Sequence, residues 1–154
     1  MIVLLSLPLW PVALVWSDIA SKTGLLVSPD FLRAELVPRV ERLTGAWHDI
    51  GVGVFYHSEG DLHGILDDLV AAGIDGINPL EPDSHMDARE IRRQYPRLVL
   101  WGGIDNAHLL VNGSVQEVEA AVRDLIDSCG REGGLLLGSS GQVHPGCRTE
   151  NVVA

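Results

Sequence analysis

Short apolar runs recur along the chain, and each is bounded by glycine, proline or polar residues. The runs are almost continuously apolar, which is typical of strands covered on both faces of a parallel sheet. Their length of about five residues also suits strands better than helices. The pattern predicts strands over residues 12–16, 52–56, 74–78, 97–101 and 134–138.

Segments with apolar residues at helical spacing lie between these strands. They predict helices over residues 29–50, 62–72, 86–94 and 114–130, and the start of another over 150–154. Ser28 is a predicted N-cap, and Pro38 predicts a kink or a break inside the first helix. Ser114 and Glu117 have the spacing of a capping box.

The alternation of strands and helices predicts a parallel sheet with right-handed crossovers. No G-x-G-x-x-G follows the first strand, so a TIM-type (β/α) barrel is favoured over an open dinucleotide-binding sheet. A closed barrel of this type needs about eight strands. The predicted fold is therefore a partial barrel of about five βα units, which leaves open sheet edges unless another segment, another chain or a different sheet arrangement removes them.

Polar residues follow every predicted strand, at the end where TIM barrels build their active sites. They are Asp18, His57 with Glu59, Asn78 with Glu81, Asp105, and Ser139 with Ser140. His57 and Glu59 point the same way if the extended backbone continues through both of them.

The pair His57 and Glu59 is the strongest candidate, and three interpretations remain open. With a third ligand such as His144 or Cys147, the pair would suit zinc, which binds histidine and carboxylate side chains in hydrolytic sites. Without a metal, the pair would orient a substrate by hydrogen bonds. In the third interpretation, the histidine only caps local backbone.

The other acidic residues at strand ends each have two interpretations. Asp18, near Lys22, is expected to bind substrate or to form a local ion pair. Asp105 follows two glycines and is expected mainly to order its loop, with substrate contact as the alternative. Glu81 either shapes the loop around its neighbouring prolines or lines the pocket.

The segment after the last strand is a further candidate for substrate contact. Ser139 and Ser140 precede a glycine, so their backbone N–H groups are suited to bind an anion, although small residues also suit a tight turn. His144 lies in the loop that follows.

Charge and cysteine content narrow the classes of partner. The chain has a net charge of −10 and no run of Lys or Arg, which disfavours nucleic acid and anionic membranes. Two cysteines are too few for a disulfide framework and favour a reduced, cytoplasmic location. The apolar start is interrupted by Pro8 and Pro11 and lacks a basic region, so it predicts an irregular lead-in rather than a signal peptide or a membrane span.

Four segments together resemble one known family in their order and spacing. They are SDIASKTGLLVSPDFLR (17–33), FYHSEGDLHGILDDLVAAGIDGINPLEP (55–82), LWGGIDNAHLL (100–110) and LGSSGQVHPGCRTENVV (137–153). These segments resemble the uroporphyrinogen decarboxylase (URO-D) family. The resemblance covers residues 12–154, leaves 1–11 outside it, and implies the C-terminal part of a TIM-type barrel, from about the fourth strand to the eighth.

The resemblance implies one of two reactions. One branch of the family decarboxylates tetrapyrrole acetate arms without metal or cofactor, and the other uses zinc to transfer a methyl group between a corrinoid protein and a thiol. In either branch the expected catalytic residues are His57, Glu59 and Asp18, and the expected substrate contacts are Ser139, Ser140, His144, Glu81 and Asp105. In the zinc branch the expected metal ligands are His57, Glu59 and His144.

The chain departs from both branches. The methyltransferases have His-x-Cys at the matching strand end, where this chain has His57-Ser58-Glu59. Their second cysteine falls near Ser140, and the last-loop histidine of the decarboxylases falls near 139–141, where no histidine is present. The Arg-containing N-terminal segment and the early-strand Asp of the decarboxylases also have no counterpart here. The His-x-Glu motif leans towards the methyltransferase branch, since a tetrapyrrole also needs cationic groups for its carboxylates and this chain supplies few.

We therefore expect a small-molecule substrate, which is either a tetrapyrrole or a methylated corrinoid with its thiol acceptor. The first case needs no cofactor, and the second needs zinc. The alternative from a different class is a truncated, non-catalytic barrel fragment or a split-barrel assembly module. We also expect self-association or a missing N-terminal barrel segment, because an isolated five-unit sheet leaves its edges open.

Overall fold

A computed structural model describes residues 12–154. The irregular lead-in predicted for residues 1–11 lies outside the described residues. The strands are β1 (Val12–Trp16), β2 (Ala20–Ser21), β3 (Gly24–Leu25), β4 (Gly53–His57), β5 (Gly76–Leu80), β6 (Val99–Ile104) and β7 (Leu135–Ser139). The helices are α1 (Pro29–Glu35), α2 (Val37–His48), α3 (Leu66–Ala71), α4 (Ala88–Gln94), α5 (Leu109–Asn112), α6 (Val115–Leu125) and α7 (Thr149–Val152).

Five strands form one parallel sheet in the order β1-β4-β5-β6-β7, with helices in the crossovers. This arrangement confirms the predicted α/β fold, a TIM-type barrel in part. No closed barrel forms within residues 12–154, because β1 and β7 do not pair with each other. The sheet order also brings the C-terminal ends of β1, β4 and β5 side by side, and this positions the site described below.

The helix starts follow the predicted capping residues. Ser28 Oγ accepts a hydrogen bond from Phe31 N at 3.2 Å, so α1 begins at Pro29. The helix predicted over 29–50 breaks at Leu36, and Pro38 stands in the first turn of α2, where its missing N–H is not needed. At α6, Ser114 and Glu117 form the predicted capping box.

The core lies between the sheet and its helices. Tyr56, Ile77 and Leu100, from three adjacent strands, are fully buried in one apolar cluster with Leu69 of α3 and Ile91 of α4. These are the positions that alternate toward the helices in the in-register strands β4, β5 and β6. Burial of this face is the main source of stability for the sheet.

The opposite face of the sheet is open in the described residues. β1 was predicted to be buried, and this prediction is wrong for its outer residues: Leu14 is 48% exposed and Trp16 is 72% exposed. The reason is that β1 is an edge strand and that this face, which lies inside a closed barrel, has no layer covering it here. Trp101 and Leu136 on β6 and β7 are exposed on neighbouring strands.

The local boundaries differ from the predictions in two ways. The segment between β1 and α1, where no strand was predicted, contains the antiparallel hairpin of β2 and β3. The helix predicted over 62–72 is confined to Leu66–Ala71, because the residues before it form turns that pack against that hairpin. Strands β4 to β7 each extend one to three residues further toward the C-terminus than predicted, which places His57 inside β4.

Candidate functional site

The loop that follows β4 is held by hydrogen bonds to the segment that follows β1. Ile19 N donates to Ser58 Oγ at 3.1 Å, and Asp61 N donates to the Ser21 carbonyl at 2.9 Å. Ser58 is fully buried at this junction. The loop is therefore a fixed part of the sheet's C-terminal end and not a free connection.

Asp18 and Glu81 hold the same loop through its backbone. Asp18 Oδ1 accepts a hydrogen bond from Glu59 N at 3.1 Å, and Glu81 Oε2 accepts one from Gly60 N at 2.8 Å. Glu81 Oε2 also accepts from Ser84 Oγ at 3.1 Å. Both carboxylates thus position the loop, whereas their predicted catalytic and substrate-binding roles remain predictions.

Gly60 explains how the loop approaches the β2–β3 hairpin so closely. Its φ is +90°, and a Cβ built there would lie 2.7 Å from backbone atoms of Ala20 and Ser21. Only glycine avoids this contact and also adopts this φ without strain. The glycine in the HSEGD segment therefore has a packing role.

His57 is oriented by Asn78, a polar residue on the neighbouring strand β5. His57 Nδ1 lies 2.6 Å from Asn78 Oδ1, and Asn78 Nδ2 donates to the Trp101 carbonyl at 3.4 Å. Because the amide nitrogen faces Trp101, the amide oxygen faces the imidazole, and His57 Nδ1 is the donor. Nε2 is then the free nitrogen of the neutral ring, and it has no hydrogen-bond partner within the described part of the chain.

Aromatic side chains lie on the same open face of the sheet as this histidine. The Trp16 and His57 rings meet edge-to-face with centroids 5.4 Å apart, and Phe55 and Trp101 meet in the same way at 6.4 Å. Such pairs fix ring positions beyond the effect of burial alone. The half-buried imidazole therefore packs against the Trp16 ring on the open face of the sheet.

Tyr56 lies next to His57 on the opposite, helix-covered face. Its hydroxyl donates to the Ser17 carbonyl at 3.3 Å. Burial raises the pKa of Tyr56 to about 12, since the phenolate would lose its hydration. Tyr56 is thus a neutral donor that ties β4 to the end of β1.

The predicted pairing of His57 with Glu59 does not form. β4 ends at His57, so the extended backbone that would align the two side chains stops before Glu59. Glu59 is exposed, and only its backbone N–H is engaged. The strand end therefore presents the imidazole without the carboxylate.

The predicted zinc set of His57, Glu59 and His144 is not brought together either. His144 follows β7, three strand positions from β4, which is roughly 14 Å at ordinary strand spacing. Its Nδ1 accepts a hydrogen bond from Gly146 N at 3.1 Å in an exposed turn. Within residues 12–154 no group of three His, Cys, Asp or Glu side chains is arranged to hold a metal ion, so these residues do not fit a zinc site.

The other predicted substrate contacts have internal partners. Asp105 Oδ1 accepts from Ala107 N at 2.7 Å and from His108 N at 2.8 Å, so it orders its loop as expected. Ser139 Oγ donates to the Gly141 carbonyl at 2.7 Å. The anion site predicted from backbone N–H groups lacks one of its donors, because Ser140 N donates to the Ile104 carbonyl at 2.7 Å.

Ser140 is also buried and belongs to a hydrogen-bond network that the sequence does not predict. Its Oγ donates to Asn106 Oδ1 at 2.9 Å, and Asn106 Nδ2 donates to the Gln142 carbonyl at 2.9 Å. This network joins the ends of β6 and β7. An amide after a glycine pair gives no sequence signal for such a role.

The expected ion pair between Asp18 and Lys22 is replaced by a longer-range one. Lys22, in the turn of the β2–β3 hairpin, pairs with Asp83 beyond the end of β5. The hydrogen bond between them lowers the pKa of Asp83 and raises the pKa of Lys22. His108 Nε2 lies 3.7 Å from the same carboxylate, so three loops meet at one exposed ionic cluster.

The fold is similar to that of a solved structure, a methyltransferase from Methanosarcina mazei. The alignment covers 92% of this chain and 39% of the methyltransferase chain, with a TM-score of 0.71 and 22% sequence identity. At that identity the likeness shows the shared fold. This chain thus spans about two fifths of that methyltransferase. No curated protein matches the sequence.

The sequence also matches a family description over nearly its whole length. The description is "Uroporphyrinogen decarboxylase (URO-D)", and the match runs over residues 12–154. These are the same residues that form the parallel sheet and present His57 at its C-terminal end. The chain belongs to the uroporphyrinogen decarboxylase (URO-D) family.

Proposed function

We propose that this chain supplies a proton-transfer residue, His57, to a metal-free decarboxylation of the kind that gives the URO-D family its name. The observation that carries the proposal is the hydrogen bond from His57 Nδ1 to Asn78 Oδ1, which leaves Nε2 directed away from its only partner. A histidine with one nitrogen anchored and the other free is suited to general acid–base chemistry.

The reaction needs one proton at a defined carbon. When a carboxylate-bearing acetate arm loses CO₂, the electron pair of the broken C–C bond must be taken up by the ring or the methylene carbon. A proton then converts that methylene to a methyl group, so the net reaction is R–CH₂–COO⁻ plus H⁺ giving R–CH₃ plus CO₂. The protonated Nε2 of His57 is the donor in this proposal, and it is reprotonated from solvent.

The exposed aromatic side chains on this face favour a substrate with a flat, largely apolar core. Trp16, which meets the His57 ring, is 72% exposed, and Trp101 is exposed on β6 of the same sheet face. Rings of this kind stack on planar heteroaromatic groups. Lys22, in the β2–β3 hairpin, carries a cationic side chain, and its ammonium is already paired with Asp83. In this proposal the remaining carboxylates of a tetrapyrrole are bound by groups outside these residues.

Methyl transfer with zinc is the less supported alternative. The structural likeness to a methyltransferase concerns the fold, and the strand end offers an imidazole but no cluster of three ligands in the described region. We therefore derive no step through zinc. The two unpaired cysteines support a reduced compartment, and we propose a cytoplasmic location.

The direct test is anaerobic incubation of the protein with uroporphyrinogen III, followed by chromatography of the oxidised porphyrins to count the carboxyl groups lost. We expect product from the wild-type chain and a rate at least about a hundredfold lower for His57→Asn, because general acids contribute on that order. Asn78→Leu should cost about tenfold through lost orientation. His63→Asn, which alters an exposed histidine paired with Asp61, should leave the rate unchanged.

Two outcomes would contradict the proposal. One is an unchanged rate in His57→Asn, or no product from the wild-type chain. The other is methyl transfer from methylcobalamin to a thiol in place of decarboxylation, which would assign the chain to the methyltransferase branch.

A second candidate function, an assembly module for a larger barrel, is favoured by the open sheet face. Leu14, Trp16, Trp101 and Leu136 give this face exposed apolar side chains on both edge strands and between them. Exposed apolar surface of this kind marks a contact surface. Sedimentation of the purified chain over a range of concentrations tests this candidate, which predicts association, whereas a monomer at all concentrations would contradict it.

A further inference from the structure

A cavity lies at the opposite end of the sheet from His57, where α4 ends and the chain enters β6 and β7. Its volume is about 620 Å³, which is within the usual range for small-molecule sites. Four arginines line it, together with the two glycines that precede β7: Arg92, Arg93, Arg97, Arg131, Gly133 and Gly134. None of these residues belongs to the site around His57.

The charge of this cavity is opposite to that of the chain. Among the lining residues only Asp127 and Glu132 balance the four arginines, so the lining has a formal net charge of +2. The whole chain carries −10, with 11 basic residues in total. More than a third of its basic residues are therefore concentrated around one cavity.

Most arginines elsewhere in the chain are paired with carboxylates, and two in this cavity are not. Among the described residues, Arg92 and Arg97 have no carboxylate within ion-pair distance. Arg93 reaches Glu90 only at 3.9 Å, and Arg131 pairs with Asp127 at 2.9 Å. In a chain this acidic, four guanidinium groups around one cavity with only two carboxylates among the lining residues indicate a site that takes its remaining negative charge from a ligand.

Arg92 forms the rigid base of the cavity. Its Nη1 donates to the carbonyls of Pro96 at 2.9 Å and Leu98 at 2.8 Å, and its Nη2 donates to the Gly134 carbonyl at 2.7 Å. Its Nε is buried without a partner in the described structure. A Cβ on Gly134 would lie 3.1 Å from Arg92 Nη2, so the glycine permits this close approach of the loop.

The role of Arg92 in holding the loop does not account for the other three arginines. Arg93, Arg97 and Arg131 are exposed, and they donate no hydrogen bond to the backbone carbonyls that Arg92 binds. Their guanidinium groups offer planar pairs of N–H donors, which match the oxygens of a phosphate group.

We propose that this cavity binds a small anionic metabolite that carries one or two phosphate groups. Arg93 and Arg97 bind its oxygens, Arg131 exchanges its contact with Asp127 for a contact with the ligand, and Arg92 holds the loop in place. The site is separate from the proposed reaction at His57, so the two proposals stand or fall independently.

The test uses pyrophosphate as the probe, titrated into the full chain at low ionic strength by calorimetry. We expect saturable binding that is weakened about tenfold to a hundredfold in the Arg93→Ala/Arg97→Ala double variant, because two charge-assisted contacts are lost. Arg92 is left unchanged because it supports the backbone. The matched control is Arg42→Ala, since Arg42 on α2 is also exposed and has no carboxylate partner in the described structure.

The outcomes separate a built site from general attraction. Wild-type affinity in Arg42→Ala and weakened binding in the double variant would support the proposal. Absence of saturable binding to the wild-type chain would overturn it, and so would equal weakening in Arg42→Ala, which would indicate attraction to any surface arginine. Far-ultraviolet circular dichroism of each variant shows that the fold is retained.

Discussion

Single residues hold the strand ends of this protein in place. The ionisation of Tyr56 reports whether its hydroxyl is buried against the Ser17 carbonyl at the end of β1. Burial raises its pKa to about 12, from an ordinary value of 10.0. A raised pKa in the folded state means that the neutral phenol stabilises the fold below pH 10, and that this stabilisation is lost as the pH rises through about 12.

Absorbance titration checks this prediction in the Tyr95→Phe variant, where Tyr56 is the one remaining tyrosine. We expect ionisation near pH 12, accompanied by loss of structure. Ionisation near the ordinary value in a chain that stays folded would show that the hydroxyl is not buried against Ser17.

A second prediction concerns the close backbone contact at Gly60. Gly60→Ala should destabilise the fold by roughly 1–3 kcal/mol, because it combines an unfavourable φ with a backbone contact. The matched control is Gly45→Ala in α2, where nothing lies within 4 Å of the added Cβ and the helix favours alanine by roughly 0.5–1 kcal/mol. Urea denaturation measures both, and equal effects in the two variants would contradict the packing role of Gly60.

At the scale of the element, the capping box of α6 gives the clearest prediction. Ser114 Oγ accepts from Glu117 N at 3.3 Å, and Ser114 N donates to Glu117 Oε2 at 2.7 Å. Ser114→Ala should therefore lower the free energy of unfolding by about 1 kcal/mol, whereas Ser114→Thr should retain most of it. Denaturation curves of both variants check this, and an unchanged midpoint in Ser114→Ala would show that the cap does not contribute.

The hydrogen bonds of the same capping box lower the pKa of Glu117. A lowered pKa means that the contribution of the carboxylate is present above its ordinary value of 4.5 and is lost as the pH falls through the folded value. The stability difference between the wild-type chain and Glu117→Gln should therefore shrink in acid, as denaturation measured across that pH range would show.

Elements were predictable from the sequence where a local signal marks them. Ser28 and Pro38 mark the start of α1 and its separation from α2, and the apolar runs mark all five strands of the sheet. The β2–β3 hairpin was missed because each of its strands has only two residues, too few for any alternation to show. Strand ends were misplaced because polar residues such as His57 continue the backbone pairing after the apolar run stops.

In the whole molecule, the open sheet face determines whether the chain self-associates. Because Leu14 and Trp16 lie exposed on an edge strand, the chain should associate as its concentration rises. A Leu14→Ser/Trp16→Ser variant should associate less in sedimentation experiments. Leu43→Ser, which removes a leucine 44% exposed on α2, should not change the association. Equal sedimentation of all three proteins would contradict this role of the open face.

The candidate site shows which information a sequence lacks at this scale. His57 was identifiable because it ends an apolar run. Asn78 was visible as a polar residue at a predicted strand end, but its role as the partner of His57 was not, because that role depends on the register that places it opposite His57 on β5. The predicted zinc ligands His57 and His144 are separated for a related reason: the strand order places His57 on β4 and His144 after β7, three strand positions away. Strand register and spacing are tertiary properties, which residue types alone do not determine.

We conclude that the sheet presents His57 with Nδ1 bound to Asn78 and Nε2 free. Long-range proton–nitrogen correlation NMR of the neutral imidazole measures this directly. We expect that Nδ1 carries the proton in the wild-type chain, and that Asn78→Leu abolishes this preference. A ring protonated at Nε2 in the wild-type chain, or a tautomer unaffected by Asn78→Leu, would show that Asn78 does not orient His57.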